Sequence, residues 1–155
     1  MKTLHPQVTI SHGAMEAEVD EKLAPLILEL WRAGWDTSMS CWNHQSAKLV
    51  WVQFDWQVHL EEFLNAVAAD VSTPGSMRDR AGMWYFGEFA RTSKPLSPDD
   101  PGSPNKAKGA WEYHVTVMDY GDETPDFRMA VSVLFPRRDL KTVLARMQEW
   151  NERDS

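Results

Sequence analysis

The spacing of apolar residues changes period several times along the chain, and each change marks an element. Between Gln7 and Val19, Val8 and Ile10 precede Gly13, after which Met15, Ala17 and Val19 alternate with polar residues. Alternation of this kind predicts an extended stretch at a sheet edge. From Leu23 the period becomes helical, with Leu23, Leu26, Ile27, Leu30 and Trp31 on one stripe and Gly34 where a left-handed C-terminal cap belongs. Asp20 is a candidate N-cap. Pro25 lacks an N–H and prefers the first turn, which predicts a loose turn over 20–22 and regular helix from about Leu23. Trp35 to Cys41 reads as a short strand and Trp42 to Ser46 as a polar turn. Lys48 to Phe54 is apolar on both sides of its alternation, as in a central strand buried on both faces. Asp55 is placed to cap a second helix, whose stripe is Leu60, Phe63, Leu64, Val67 and Val71, and Pro74-Gly75 ends it.

Met83 to Phe89 is rich in aromatic residues and fits a strand or a helix. Arg91 to Gly109 follows as a flexible, proline-rich loop. Trp111, Tyr113, Val115 and Val117 then alternate with Glu112, His114 and Thr116; after the turn cluster Gly121 to Pro125, Phe127, Met129, Val131, Val133 and Phe135 do the same. The two runs predict an antiparallel hairpin with one buried face. Pro136 stops it, Asp139 is placed to cap a third helix, and Leu140, Val143, Leu144 and Met147 form that helix's stripe. The order of elements predicts an α+β fold: one domain over residues 1–155, a mostly antiparallel sheet, and about three helices on one face.

Composition narrows the classes without naming a partner. The 155 residues carry a formal net charge of −7 and are 43% hydrophobic, too apolar for a disordered chain and without the basic surplus of a general nucleic-acid binder. A single cysteine excludes an intramolecular disulfide and a cysteine-rich zinc module. No run approaches the ~18 consecutive apolar residues of a membrane span, and Met1 to Ile10 has no apolar run of signal-peptide length. The expectation is a cytoplasmic protein with no membrane or nucleic-acid partner. Eight tryptophans are unusual for this length; most belong in the core or at its rim, and an exposed cluster would mark a binding surface.

Candidate chemistry centres on Cys41, which enters the polar segment Trp42, Asn43, His44 and Gln45. A nucleophilic thiol needs a base or cation beside it, and His44, His59 and His114 are the candidates. Against this, a free cysteine is commonly a small buried hydrophobe. The Cys41–His44 spacing could offer two metal ligands, but no H-E-x-x-H and no second cysteine pair complete a site, so neither a metal nor another cofactor is expected. His114 shares a strand face with Glu112 and Thr116, which reads as a solvated face or the polar side of a pocket. Pro95, Pro98, Pro101 and Pro104 recur every three residues, the period of a polyproline II helix that docks in aromatic grooves, although Asp99, Asp100 and Gly102 interrupt it. Arg137, Arg138, Lys141 and Arg146 form a local basic cluster, read as a solvated face.

The segment Val19-Asp20-Glu21, then Ala24-Pro25-Leu26-Ile27, Leu30-Trp31, Gly34, Thr37 and Ser40-Cys41 resembles a group of small bacterial and phage proteins with no established activity, whose opening reads V-D-E-x-x-A-P-L-I-x-x-L-W-x-x-G-x-x-T-x-x-S-C-Q. Trp51 to Phe54, Glu62 to Leu64 and Val131 to Arg137 fit the same group, whereas Trp42 stands in place of the expected glutamine. An Asp-opened helix followed by T-x-x-S-C has a remoter likeness to the wybutosine-synthesis tRNA-modifying family, whose small Ser-Gly-Arg continuation is replaced here by Trp42-Asn43-His44. The resemblance supports a single domain and transfers no activity.

Two readings follow. The favoured one is a ligand- or protein-binding regulatory module using Trp42, Asn43, His44, Pro95 and Pro98, with a protein or small molecule as partner and a homo-oligomer open. The alternative is a small enzyme using Cys41 with His44, His59 or His114 as base.

Overall fold

A computed structural model describes residues 6–42, 48–70, 76–82, 109–119 and 121–153. The chain is α+β, and the described residues form six strands in two antiparallel sheets and four α-helices. The opening stretch folds into a complete hairpin, β1 (Gln7–His12) and β2 (Met15–Asp20), paired from Gln7↔Asp20 to His12↔Met15. Its two-residue connection places Gly13 at φ 61, which suits glycine at the first position of a type II′ turn.

Helix α1 (Ala24–Arg32) begins one residue after Leu23 with Pro25 in its first turn. Asp20 does not cap it; Asp20 ends β2, and its buried carboxylate is used elsewhere. The far end matches the sequence: Gly34 has φ 87, its N–H donates to the Trp31 carbonyl, and the Trp35 N–H donates to that of Leu30. Strands β3 (Thr37–Cys41) and β4 (Leu49–Phe54) follow, then helix α2 (Gln57–Val67). Asp55 is not the cap of α2 either: Trp56 takes that position without a side-chain bond. A short helix α3 (Met77–Gly82) lies where the sequence suggests only a break. Strands β5 (Glu112–Asp119) and β6 (Phe127–Pro136) form the expected ribbon, and a 3₁₀ turn over Arg137–Asp139 leads into helix α4 (Leu140–Arg153).

The main sheet has the order β3-β4-β6-β5, every pair antiparallel. Val50, Val52 and Phe54 of β4 and Val133 and Phe135 of β6 point to one face, where Leu23, Leu26, Ile27 and Leu30 of α1, Phe63 and Val67 of α2, and Val143 and Met147 of α4 complete the core. Phe63 is the aromatic hub, with Trp35, Phe54 and Trp111 around it. Across the sheet, Ala130, Ser132, Leu134 and Gln53 are buried too. The Gln53 amide is satisfied there: its Nε2 donates to Ser38 Oγ at 2.9 Å, and its Oε1 accepts from Ser132 Oγ at 3.4 Å. The face of β4 away from the helices is thus buried at Gln53 and half-buried at Leu49 and Trp51, short of the full burial on both faces that its sequence predicts.

The Tyr113 hydroxyl donates to the Ala81 carbonyl, tying β5 to α3. Burial pushes the Tyr113 phenol above the usual tyrosine range. The unfolded chain's tyrosine ionises near pH ~10 and the folded one only at higher pH, so the folded state holds its proton longer. The associated stability is complete below about pH 10 and is lost as the pH rises toward the folded value. Tyr113→Phe should therefore cost about 1 kcal/mol at neutral pH and flatten the alkaline fall in stability, as urea unfolding on both sides of about pH 10 would read.

Candidate functional site

The structure separates Cys41 from two of the three histidines that could serve it as a base, His59 and His114. Cys41 ends β3, half-buried, opposite Trp51. The row across the sheet from Cys41 runs through Trp51 and Leu134 to Glu112, three strand spacings or about 14 Å, and His114 lies on that same far strand. His114 is exposed, with its Nε2 3.7 Å from Glu112 Oε2 on the same strand. His59 is engaged at the other end of β3, where its Nδ1 accepts the Asp36 N–H at 3.1 Å. Among the described residues no group of His, Cys, Asp and Glu is arranged to hold a metal ion. His44, Asn43, Pro95 and Pro98 lie outside the described residues.

Trp42 is placed at a corner where the end of β2, the end of β3 and the turn after β6 meet. Its N–H donates to Asp20 Oδ2 at 2.7 Å, while Asp20 Oδ1 accepts from Gln7 Nε2 at 3.2 Å. The Arg137 guanidinium lies 4.9 Å and the Lys22 ammonium 5.9 Å from the Trp42 ring centroid. The ring is therefore engaged by two cations from its own chain, which ties the β1–β2 hairpin to the main sheet. The basic cluster read from the sequence is divided: Arg137 stacks on Trp42, and Arg146 donates to the Val67 carbonyl at the end of α2 and pairs with Asp70 at 3.2 Å.

The surface that stands out was not among the sequence candidates. On the ribbon, Val115 pairs with Val131 and Val117 with Met129, while Phe127 opposes Asp119. Directly opposed residues share a face, so Val115, Val117, Phe127 and Met129 stand on the face that forms the core at Val133 and Phe135. Here the hairpin departs from its expected single buried face. The root of the ribbon is covered by the helices, whereas beyond Val131 the same face is open: Val115 is 65% exposed, Val117 60%, Phe127 64% and Met129 65%. Together these side chains present on the order of 400–500 Å² of apolar surface, in the range where a patch is often functional. Met129 and Trp56, itself half-exposed, share the rim of a hollow of about 190 Å³ with Asp36, Asp55 and Arg128.

β5 is also an edge of the main sheet among the described residues. Its sequence, Glu-Tyr-His-Val-Thr-Val-Met-Asp, contains no lysine, arginine or proline, and it pairs with β6 over its whole length without a bulge. These are the devices that usually protect an edge strand from pairing. The opposite edge is shielded: β2 lies beside β3, the two lining a hollow of about 240 Å³ with Trp31, whose Nε1 donates to Thr37 Oγ1 at 3.0 Å.

The root of the ribbon is fixed by a buried polar clamp. Arg80 of α3 makes a bidentate pair with Asp139 at 2.6 and 2.9 Å and donates to the Gly109 carbonyl; the Trp111 indole N–H donates to the same carboxylate at 3.0 Å. Asp139 was read as a helix cap from its place before an apolar stripe. Its carboxylate, directly before Leu140, is the acceptor of this clamp. The hydrogen bond to Asp139 holds the Arg80 guanidinium above its ordinary pKa, against the opposing effect of burial. Glycine suits position 109, because its φ is 85, where an L side chain is strained, and a Cβ would press on Arg80 at 3.1 Å and displace the end of the Arg138 side chain.

Comparison with known proteins finds no family model, curated protein or solved structure that matches the chain. Among the described residues, no helix is long and apolar enough to cross a membrane.

Proposed function

We propose that the chain is a protein-binding module whose contact surface is the distal half of the β5–β6 ribbon. The observation that carries this reading is the open apolar face of Val115, Val117, Phe127 and Met129, presented on a strand pair rather than on a mobile side-chain cluster. Exposing this much contiguous apolar surface is unfavourable unless something covers it. The β5 edge beside it, terminal in the sheet among the described residues, adds backbone donors and acceptors, the combination used in strand addition. A protein fits this surface better than a small molecule. The neighbouring hollows, about 190 and 240 Å³, fall short of the ~300–1,000 Å³ of ligand pockets, whereas a ribbon face suits an extended chain. The separation of Cys41 from His59 and His114 weighs against an enzyme that uses either of these two as its base.

A photoreactive phenylalanine analogue at Val117 tests this in the cells that make the protein. Irradiation should give discrete protein adducts from position 117 and none from Glu61, an exposed site on α2. Absence of adducts at 117, or equal adducts at both positions, would overturn the assignment.

A further inference from the structure

We infer that the occupant of this surface is a second copy of the chain, joined through antiparallel pairing of β5 with the partner's β5. The inference rests on the ribbon being the contact surface and names its partner. A two-fold axis perpendicular to the sheet brings two identical edge strands together antiparallel and keeps both apolar faces on one side. Such an axis allows only registers in which one residue opposes its own copy, so the choices along β5 are few.

Charge and apolar matching select among them. With Val115 opposite its copy, Tyr113 faces Val117, His114 faces Thr116 and Glu112 faces Met118, which puts three apolar pairs in a row and no like charges opposite one another. Centring on Thr116 sets Asp119 against Tyr113, and centring on His114 sets two imidazoles together and moves Val117 beyond the strand, against Trp111. The Val115 register pairs Glu112 to Met118 and stops one residue short of Trp111, where α3 lies against the chain through the Arg80 carbonyl and the Trp111 N–H. In this arrangement Phe127 and Met129 of each copy flank the seam on the shared face.

The area sets the strength of the contact. A standard interface buries about 800 Å² per partner; the four apolar side chains supply roughly half of that, and the β5 edge with His114 and Thr116 extends it. The contact therefore belongs to the small, reversible class, visible as concentration-dependent dimerisation. It also closes on itself: the β3 edge is shielded by β2, so pairing stops at two copies and one continuous eight-stranded sheet, twice the four strands of the monomer.

The full-length chain tests the inference by light scattering and sedimentation across micromolar to millimolar concentration. The expected result is a monomer–dimer equilibrium, weakened ~100-fold or more by Val115→Lys, which sets two ammonium groups face to face. Residue 115 is exposed, so the variant should keep the wild-type melting temperature. In a Cys41→Ser background, mild oxidation should link Val115→Cys chains by a disulfide. Val117→Cys should link poorly, because its copy lies four residues along the strand, about 14 Å away. A monomer at every concentration, a dimer indifferent to Val115→Lys, or faster linking from Thr116→Cys than from Val115→Cys would each overturn the inference. If the Val117 photoadducts contain a different protein while the purified chain stays monomeric, the binding-module reading stands and the self-pairing fails. If neither adducts nor dimers form, both fail.

Discussion

Arg80→Ala should destabilise the protein by about 3–5 kcal/mol, among the largest effects of any single substitution in the chain. Arg80 is 9% exposed and Asp139 6%, and their pairing is bidentate. Removing the guanidinium leaves the Asp139 carboxylate buried with the Trp111 indole as a remaining donor, and it leaves the Gly109 carbonyl without its Arg80 partner. The loss arises mainly from that stranded charge, because the intact pair sets attraction against desolvation and contributes modestly by itself. Replacing both partners, as Arg80→Leu with Asp139→Leu, should therefore cost less than either single change. For a domain of this size the single variant should melt about 6–20 °C lower. Scanning calorimetry of the two singles and the double checks both the magnitude and the non-additivity. An Arg80→Ala protein that melts with wild type would mean the clamp is dispensable.

The clamp also determines where the ribbon stands. Arg80 and Asp139 are separated by 59 residues and meet only because α3 packs against the turn between β6 and α4. Gly109 and Trp111, in the segment that leads into β5, are both tied to this cluster. Loss of the clamp should therefore raise amide exchange along β5 more than along β4, which is held between β3 and β6.

Period and turn chemistry made much of the fold legible. The stripe from Leu23 to Trp31 and the left-handed Gly34 set out α1, and the alternations on both sides of Gly121 set out the β5–β6 ribbon. The acidic caps were not legible, because a carboxylate before an apolar run has the same local signature whether it caps a helix or binds a distant group. Asp20 is drawn to the Trp42 N–H, and Asp139 to Arg80 and Trp111. Helix α3 was missed because six residues with only Met77 and Ala81 as buried apolar positions give no measurable helical period. The candidate surface was hidden for a different reason. Alternation in Val115, Val117, Phe127 and Met129 tells which side these residues face, but how far the covering helices extend is a tertiary property. Most tryptophans were expected in the core or at its rim; Trp31, Trp35 and Trp111 are buried there, and Trp42 is engaged by Arg137 and Lys22.

Trp111 separates packing from hydrogen bonding within the clamp. Its side chain is fully buried, its ring stacked on Phe135 at 4.8 Å and near Phe63 at 6.4 Å. Trp111→Ala removes the ring and the indole donor together and should cost about 3–5 kcal/mol. Trp111→Phe keeps an aromatic ring against Phe135 but takes a donor from the buried Asp139 carboxylate, for about 1–3 kcal/mol. Urea unfolding of the two variants gives the ring's share as their difference. A Phe variant as unstable as the Ala variant would place the effect in the hydrogen bond, and one equal to wild type would place it in packing. The same pair bears on the ribbon, because Trp111 immediately precedes β5 and its backbone N–H is bound to the Arg80 carbonyl. If the ribbon must be rigid to pair with a second copy, Trp111→Ala should weaken dimerisation even where the protein remains folded, since ordering a loosened strand on association costs conformational entropy. Trp111→Phe, which retains the stacked ring, should leave the dimer close to wild type in strength.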